Sequence, residues 1–217
     1  VVDPGPRFDA VLASRRMCRD FDGAPLEPSV LERVLAAAFR APAAGNTDAL
    51  ELLVVEGDST ADYWETTLTG RARRDFSWPG LLRAPVLVIP YVDPTSYLRR
   101  YSRPDKAGRG LSEAMEDWPV PYWFVDGGAA VMAMLLAAEA EELGALLFGQ
   151  FGHEPAVRRC FGVPERWRAL GTVALGHPAP GGRQPSASAA SGRPTAAGRV
   201  HRGRFGPVEV KRQVSPG

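Results

Sequence analysis

Residues 127–138 are apolar on every side of a helix, a run of Gly, Ala, Val, Met and Leu without one charge. A surface helix carries an apolar stripe opposite a polar face, so a helix apolar all round needs cover on every side. The run is shorter than the ~20 residues of a membrane span. Two settings fit it: an interior helix, or a helix lying in a contact between subunits. The periodic pattern extends over 126–143, with Asp126 expected as the N-cap and Gly144 as the residue just past the C-terminus.

The rest of the chain must supply the cover. Residues 28–40 predict a helix, with Val30, Leu31, Val34, Leu35 and Ala38 at helical spacing, Pro28 in its first turn and Pro42 behind it. Residues 85–92 are β-branched and apolar and read as a strand buried on both faces. Weaker signals predict helices over 7–16, 61–70 and 154–161 and strands over 50–55, 145–148 and 169–176. The stretch 93–120 is polar and irregular and is expected as a lid or insertion. Irregular order of strands and helices predicts an α+β sandwich with helices flanking a sheet. Residues 1–180 are expected to form one domain. Residues 181–217 read as a connection followed by a basic tail.

Composition narrows the class. Of 217 residues, 45% are hydrophobic and 24% charged, the balance of an ordinary globular protein. A net charge of +1 gives no whole-molecule field toward nucleic acid, so anion recognition must come from local clusters. Cys18 and Cys160 stand far apart and in no metal-ligand spacing. Residues 1–19 lack a basic start followed by an apolar run. These features lead us to expect a reducing, cytoplasmic setting with no membrane attachment. His153, His177 and His201 are dispersed, and neither a nucleophile elbow nor a phosphate-binding glycine loop is present.

The local cluster that stands out is Arg15-Arg16-Met17-Cys18-Arg19. On a helix Arg15 and Arg19 share a face. Guanidinium groups bind phosphate in a bidentate fashion, which makes this a candidate anion clamp. A solvated basic helix end is the plainer reading. Downstream stands Ala43-Ala44-Gly45-Asn46, where Asn46 is either a polar ligand or a turn residue that tolerates left-handed backbone. Gly149-Gln150 follows the expected strand at 145–148, either a turn or a place where backbone approaches a ligand closely. Trp118, Tyr122, Trp123 and Phe124 are core aromatics, or else the roof of a pocket for a flat ligand.

In order and spacing these pieces resemble the FMN-dependent nitroreductase family. The resemblance rests on 15–21, Ala43-Ala44-Gly45-Asn46, the helix over 126–143, Gly149-Gln150-Phe151, Phe161-Gly162-Val163-Pro164-Glu165 and Leu175-Gly176-His177-Pro178. It implies a sandwich with a central, mainly antiparallel sheet and a long central helix at the interface of a homodimer. Arg15 and Arg16 would hold the FMN phosphate and ribityl end. Arg19 would approach the N1/C2 carbonyl edge, where reduction deposits negative charge. Asn46 would pair with the pyrimidine rim, and the backbone of Gly149 and Gln150 would pass the ring. Arg193 would add a phosphate contact, from across the dimer in some relatives. NADH or NADPH would deliver a hydride through flavin N5 to an aromatic, quinone or nitro acceptor in ping-pong fashion.

Two positions depart from the family pattern. Met17 replaces the usual serine and removes a hydroxyl ligand from the cofactor cradle. Asp48 places a carboxylate on the substrate side, beside Trp123 and Phe124 as candidate pocket walls. These departures motivate a second reading, a protein that binds flavin or deazaflavin for storage or sensing, or a specialised biosynthetic flavin dehydrogenase. A third, nucleic-acid binding through the arginines of 193–212, lacks a recognition helix or stacking aromatics to accompany the charge.

Overall fold

The computed structural model describes residues 8–106, 108–183 and 199–205. Compact units form over Val1–Gln184 and Pro185–Gly217. In the second, His201 lies against the Phe205 ring at 4.0 Å. Arg193 lies outside the described residues.

The first unit is built on strand β2 (Val86–Val92), in which every residue is buried. Its side chains alternate between two cores. Leu87, Ile89 and Tyr91 face one that includes Tyr63, Trp64 and Val157. Val86 and Val88 face another with Leu31, Val34, Val131 and Met134. The period of two is that of a pleated strand, and apolar residues on both faces are what two-sided cover demands. The sequence pattern is therefore explained by cover and not by parallel pairing, since all strand pairs here are antiparallel. Strands β1 (Leu50–Glu56), β3 (Gly144–Phe148), β4 (Arg168–Ala169) and β5 (Thr172–Gly176) complete a five-stranded sheet of order β1-β2-β5-β3, with β4 also paired to β2.

Helices cover the two faces. α2 (Pro28–Ala38) buries Leu31, Val34 and Ala38 against α6 (Tyr122–Ala140). Each fully buried Leu or Val contributes about 1.5–3 kcal/mol. On the other face α3 (Ser59–Thr67) packs on α7 (Glu154–Cys160). α1 (Phe8–Ser14) buries only Val11, leaving Phe8 and Leu12 exposed. α4 (Gly70–Arg74) and α5 (Pro94–Tyr101) are short.

Helix α6 corrects the expected boundaries. It begins at Tyr122, so Asp126 lies inside the first turns instead of capping them. At 19 residues it is long and apolar enough to cross a membrane by length and composition. Here Gly127, Ala130, Val131, Met134, Leu135 and Ala138 are buried, while Val125, Gly128 and Met132 face outward. Nor is Gly144 the residue past its end. Glu142 takes the left-handed turn at φ 59, Leu143 N donates to Ala138 O at 2.8 Å and Glu142 N to Glu139 O at 3.1 Å. This is a Schellman stop, a position that favours glycine. Glu142→Gly is accordingly expected to raise unfolding free energy by about 0.5–1 kcal/mol, read by urea denaturation. Arg183 donates to the Glu139 carboxylate at 2.8 Å and to Leu143 O at 3.0 Å, a cation at the negative end of the helix.

Two further expectations change. The strand over 169–176 is split, because Gly171 sits at φ 116 and a Cβ there would meet Phe148 O at 2.7 Å. Leu170 N still donates to Pro90 O at 2.9 Å, so the chain stays tied to β2 across the break. The start of the expected loose connection is also held. Ala179 N donates to Asp20 O at 3.0 Å and Arg19 N to Gly182 O at 2.9 Å, pinning residues 179–182 on the arginine segment. Within the stretch read as a lid, Asp93 is buried as the cap of α5, accepting from Thr95 N at 2.9 Å and from Ser96 and Arg99. Burial pushes its carboxyl up, but the hydrogen bonds from Thr95, Arg99 and Ser96 outweigh this and hold it below the usual range.

Candidate functional site

The arginine segment runs along the sheet. Met17 bridges Ala145 in parallel, and Cys18 N donates to Ala145 O at 2.9 Å. Cys18 is fully buried, and burial pushes its thiol up. This places Arg19 beside the end of β3. Arg16 turns the other way: it is exposed, and its guanidinium donates to Ala13 O at 2.7 Å and Arg15 O at 2.9 Å, capping α1. Arg15 is half-buried between them.

Arg19, Gly149 and Gln150 line one cavity of about 340 Å³. Its walls are aromatic. Trp64 and Phe148 stack at 5.7 Å, Trp78 lies under the Arg19 guanidinium at 5.2 Å, and Phe76 and Phe151 complete the rim. A cavity of this size with few polar groups suits a flat organic ligand. Gln150 is 5% exposed, and its Nε2 donates to Thr172 Oγ1 at 3.1 Å. Thr172 Oγ1 is also 2.8 Å from the Tyr63 hydroxyl. Burial pushes Tyr63 up to about 12, so it stays protonated near neutral pH. The Gln150 carbonyl oxygen and the Trp64 indole N–H are buried without a partner. Unpaired buried polar atoms are costly and call for an explanation, such as a group that the site receives.

Asn46 and Asp48 line a second cavity, of about 200 Å³, between the end of α2 and the flank of α6. Asn46 has φ 53, the left-handed conformation expected of a turn Asn. The loop that carries it is held from three directions. Asp126 Oδ2 accepts from Ala44 N at 2.7 Å and from the Tyr97 hydroxyl at 2.8 Å. Arg100 Nε donates to Gly45 O at 2.6 Å while its other nitrogens grip Asp105. Thr47 Oγ1 donates to Ala44 O at 2.6 Å. Burial, reinforced by the Asp126 carboxylate, pushes Tyr97 upward, which preserves it as a donor. Asp48 is exposed at the rim.

Trp123 is buried edge-on against Tyr97 and Trp118, both at 6.0 Å, and supports Tyr97 from behind. Phe124 stays exposed on α6. One chain therefore gathers Arg19, Gly149 and Gln150 around one cavity and Asn46 with Asp48 around another. Sequence reading missed Tyr63, Trp64, Trp78 and Thr172 at the first and the pinning roles of Asp126 and Arg100 at the second. Among the described residues no group of three His, Cys, Asp or Glu side chains is placed to hold a metal ion.

Comparison with known proteins agrees with this architecture. The sequence model of the Nitroreductase family matches residues 12–177. A 4-nitrobenzoate reductase of Nocardioides is 26% identical over 199 residues, covering 78% of this chain and 80% of the relative. Among solved structures, nitroreductase A of Vibrio parahaemolyticus superposes with a TM-score of 0.67 at 20% identity, over 93% of this chain and 78% of that one. An FMN-dependent nitroreductase of Clostridium difficile gives 0.63 at 17% identity, over 90% and 98%. With more than half of its length inside the family pattern and the same α+β sandwich around an antiparallel sheet, the chain belongs to the nitroreductase family and is an oxidoreductase.

Proposed function

We propose that this protein binds FMN and, as a homodimer, passes a hydride from NADH or NADPH to an aromatic, quinone or nitro-type acceptor. The observation that carries the reading is the aromatic cavity where Arg19, Gly149 and Gln150 meet. Those residues fit a flavin: a cation for the edge that gains charge, and flat walls for the ring. Bound FMN supplies the two-electron chemistry, which is why the protein needs no acid–base pair. The chain's own residues bind and orient. Arg19 sets a fixed positive charge, and Trp64 and Phe148 keep water out. The phosphate end falls to Arg15, since the Arg16 guanidinium is engaged by Ala13 O and Arg15 O at the end of α1. Arg193 adds a second phosphate contact.

Two features support a shared site. Asn46 and Arg19 line different cavities of one chain, so a second copy is what unites them around one ring. The outward side of α6 offers Val125, Gly128 and Met132 as a contact surface. The reading carries a cytoplasmic setting, in keeping with two free cysteines.

An absorbance scan of the purified protein, reconstituted with FMN, tests the proposal. A bound-flavin spectrum that bleaches on anaerobic addition of NADH or NADPH is expected. No retained flavin would sink the reading. Retained flavin that neither nicotinamide bleaches would favour the storage or sensing role instead.

A further inference from the structure

Three non-glycine residues among those described have left-handed backbone: Asn46, Glu142 and Phe151. Asparagine tolerates that region, and Glu142 stops a helix. Phe151, at φ 47, has no such local reason, and a bulky side chain there is strained. Its ring is 90% exposed, so little burial offsets the strain. The ring nevertheless has a definite seat. Its tip lies over Gly149, where a Cβ would come within 2.9 Å of Phe151 Cζ. The absence of a Cβ at Gly149 is what leaves room for the ring in this seat. Strain held at a cavity rim is a mark of function more often than of folding.

We propose that Phe151 is a positioning residue whose ring contacts a planar aromatic ligand and seats it against the Gly149–Gln150 turn. The inference rests on the reading of this cavity as the ring site. Ring stacking on an exposed phenyl removes apolar surface from water on both partners, which is the gain that repays the strained backbone. Gln150 ties the turn from inside, its side chain donating to Thr172 Oγ1 at 3.1 Å. Trp78, 42% exposed, lines the same cavity. Two sources of such a ring exist at this site, the isoalloxazine and the aromatic acceptor.

The test compares full-length parent, Phe151→Gly and Phe151→Tyr in three measurements. These are thermal unfolding without ligand, FMN affinity by fluorescence quenching, and KM for nitrobenzene with the FMN-loaded protein. Phe151→Gly is expected to raise the apoprotein Tm by about 2–4 °C, since glycine accepts the backbone freely. It is expected to weaken ring binding about tenfold. Phe151→Tyr should restore binding. A tenfold loss in FMN affinity assigns the ring contact to the cofactor. Unchanged FMN affinity with a raised KM assigns it to the acceptor. Unchanged affinity and KM, or a lowered Tm with an altered oligomeric state by sedimentation, overturns the inference and makes Phe151 an ordinary packing or subunit contact. Failure of the parent to bind FMN removes the cofactor reading and this inference with it.

Discussion

Replacing Asp126 by Ala is expected to cost about 3 kcal/mol of unfolding free energy and to release bound flavin. Two donors end on one carboxylate oxygen, Ala44 N at 2.7 Å and the buried Tyr97 hydroxyl at 2.8 Å. Removing the acceptor strands both, and each unsatisfied buried donor costs about 1–3 kcal/mol. The functional loss follows from position. Ala44 opens the turn that carries Asn46, so that turn is fastened to the middle of the protein through Asp126. Arg100 holds the neighbouring Gly45 carbonyl but leaves the Ala44 end free. Tyr97→Phe removes one donor and leaves the Ala44 bond, so it should cost about 1 kcal/mol and keep the flavin. Urea denaturation and flavin retention on gel filtration measure both effects. If Asp126→Ala proves no worse than Tyr97→Phe on either count, the pin has been misassigned.

Arg19→Gln is expected to lower the two-electron potential of bound FMN by about 30 mV, more than it weakens phosphate binding. A hydrogen bond to a charged group contributes about 1.5–3 kcal/mol, and a half-exposed guanidinium belongs at the lower end. For a two-electron couple, 1.4 kcal/mol is about 30 mV. Arg19 is braced for this by its own backbone bond to Gly182 O and by Trp78 beneath its guanidinium. Spectroelectrochemistry of variant and parent gives the potential, and FMN titration gives the affinity. Arg19→Lys keeps the charge and should keep most of the potential. Equal potentials in Arg19→Gln and parent would take Arg19 out of its assigned place.

The fold was legible where one physical signal dominated. Strand β2 was readable because eight consecutive apolar positions leave no polar face, and α2 because Leu31, Val34 and Ala38 repeat at helical spacing between two prolines. Asp126 was misread for an equally physical reason. An aspartate before an apolar run looks like a cap, and nothing local shows that Ala44 and Tyr97 claim its carboxylate from 82 and 29 positions away. The stop at Glu142 was placed on Gly144 because glycine is the usual occupant of a left-handed stop. Tyr63 and Thr172 lie 109 positions apart, and no sequence pattern couples them. Arg19, Gly149 and Gln150 were named together because the family resemblance ordered them, and the structure gathers them around one cavity. That resemblance did not announce Trp64, Phe76 and Trp78, the walls that α3 and the 76–78 turn supply.

Strand β2 has a consequence for synthesis on the ribosome. One of its edges is met by β1, which precedes it, but the other is met by β5, about 80 residues later. At ordinary translation speed that partner emerges roughly 4–16 s after β2 does. For that interval an uncharged, fully apolar ribbon has one open edge and only half of its cover. Until β5 arrives, this ribbon is the segment of the nascent chain most open to off-pathway edge pairing.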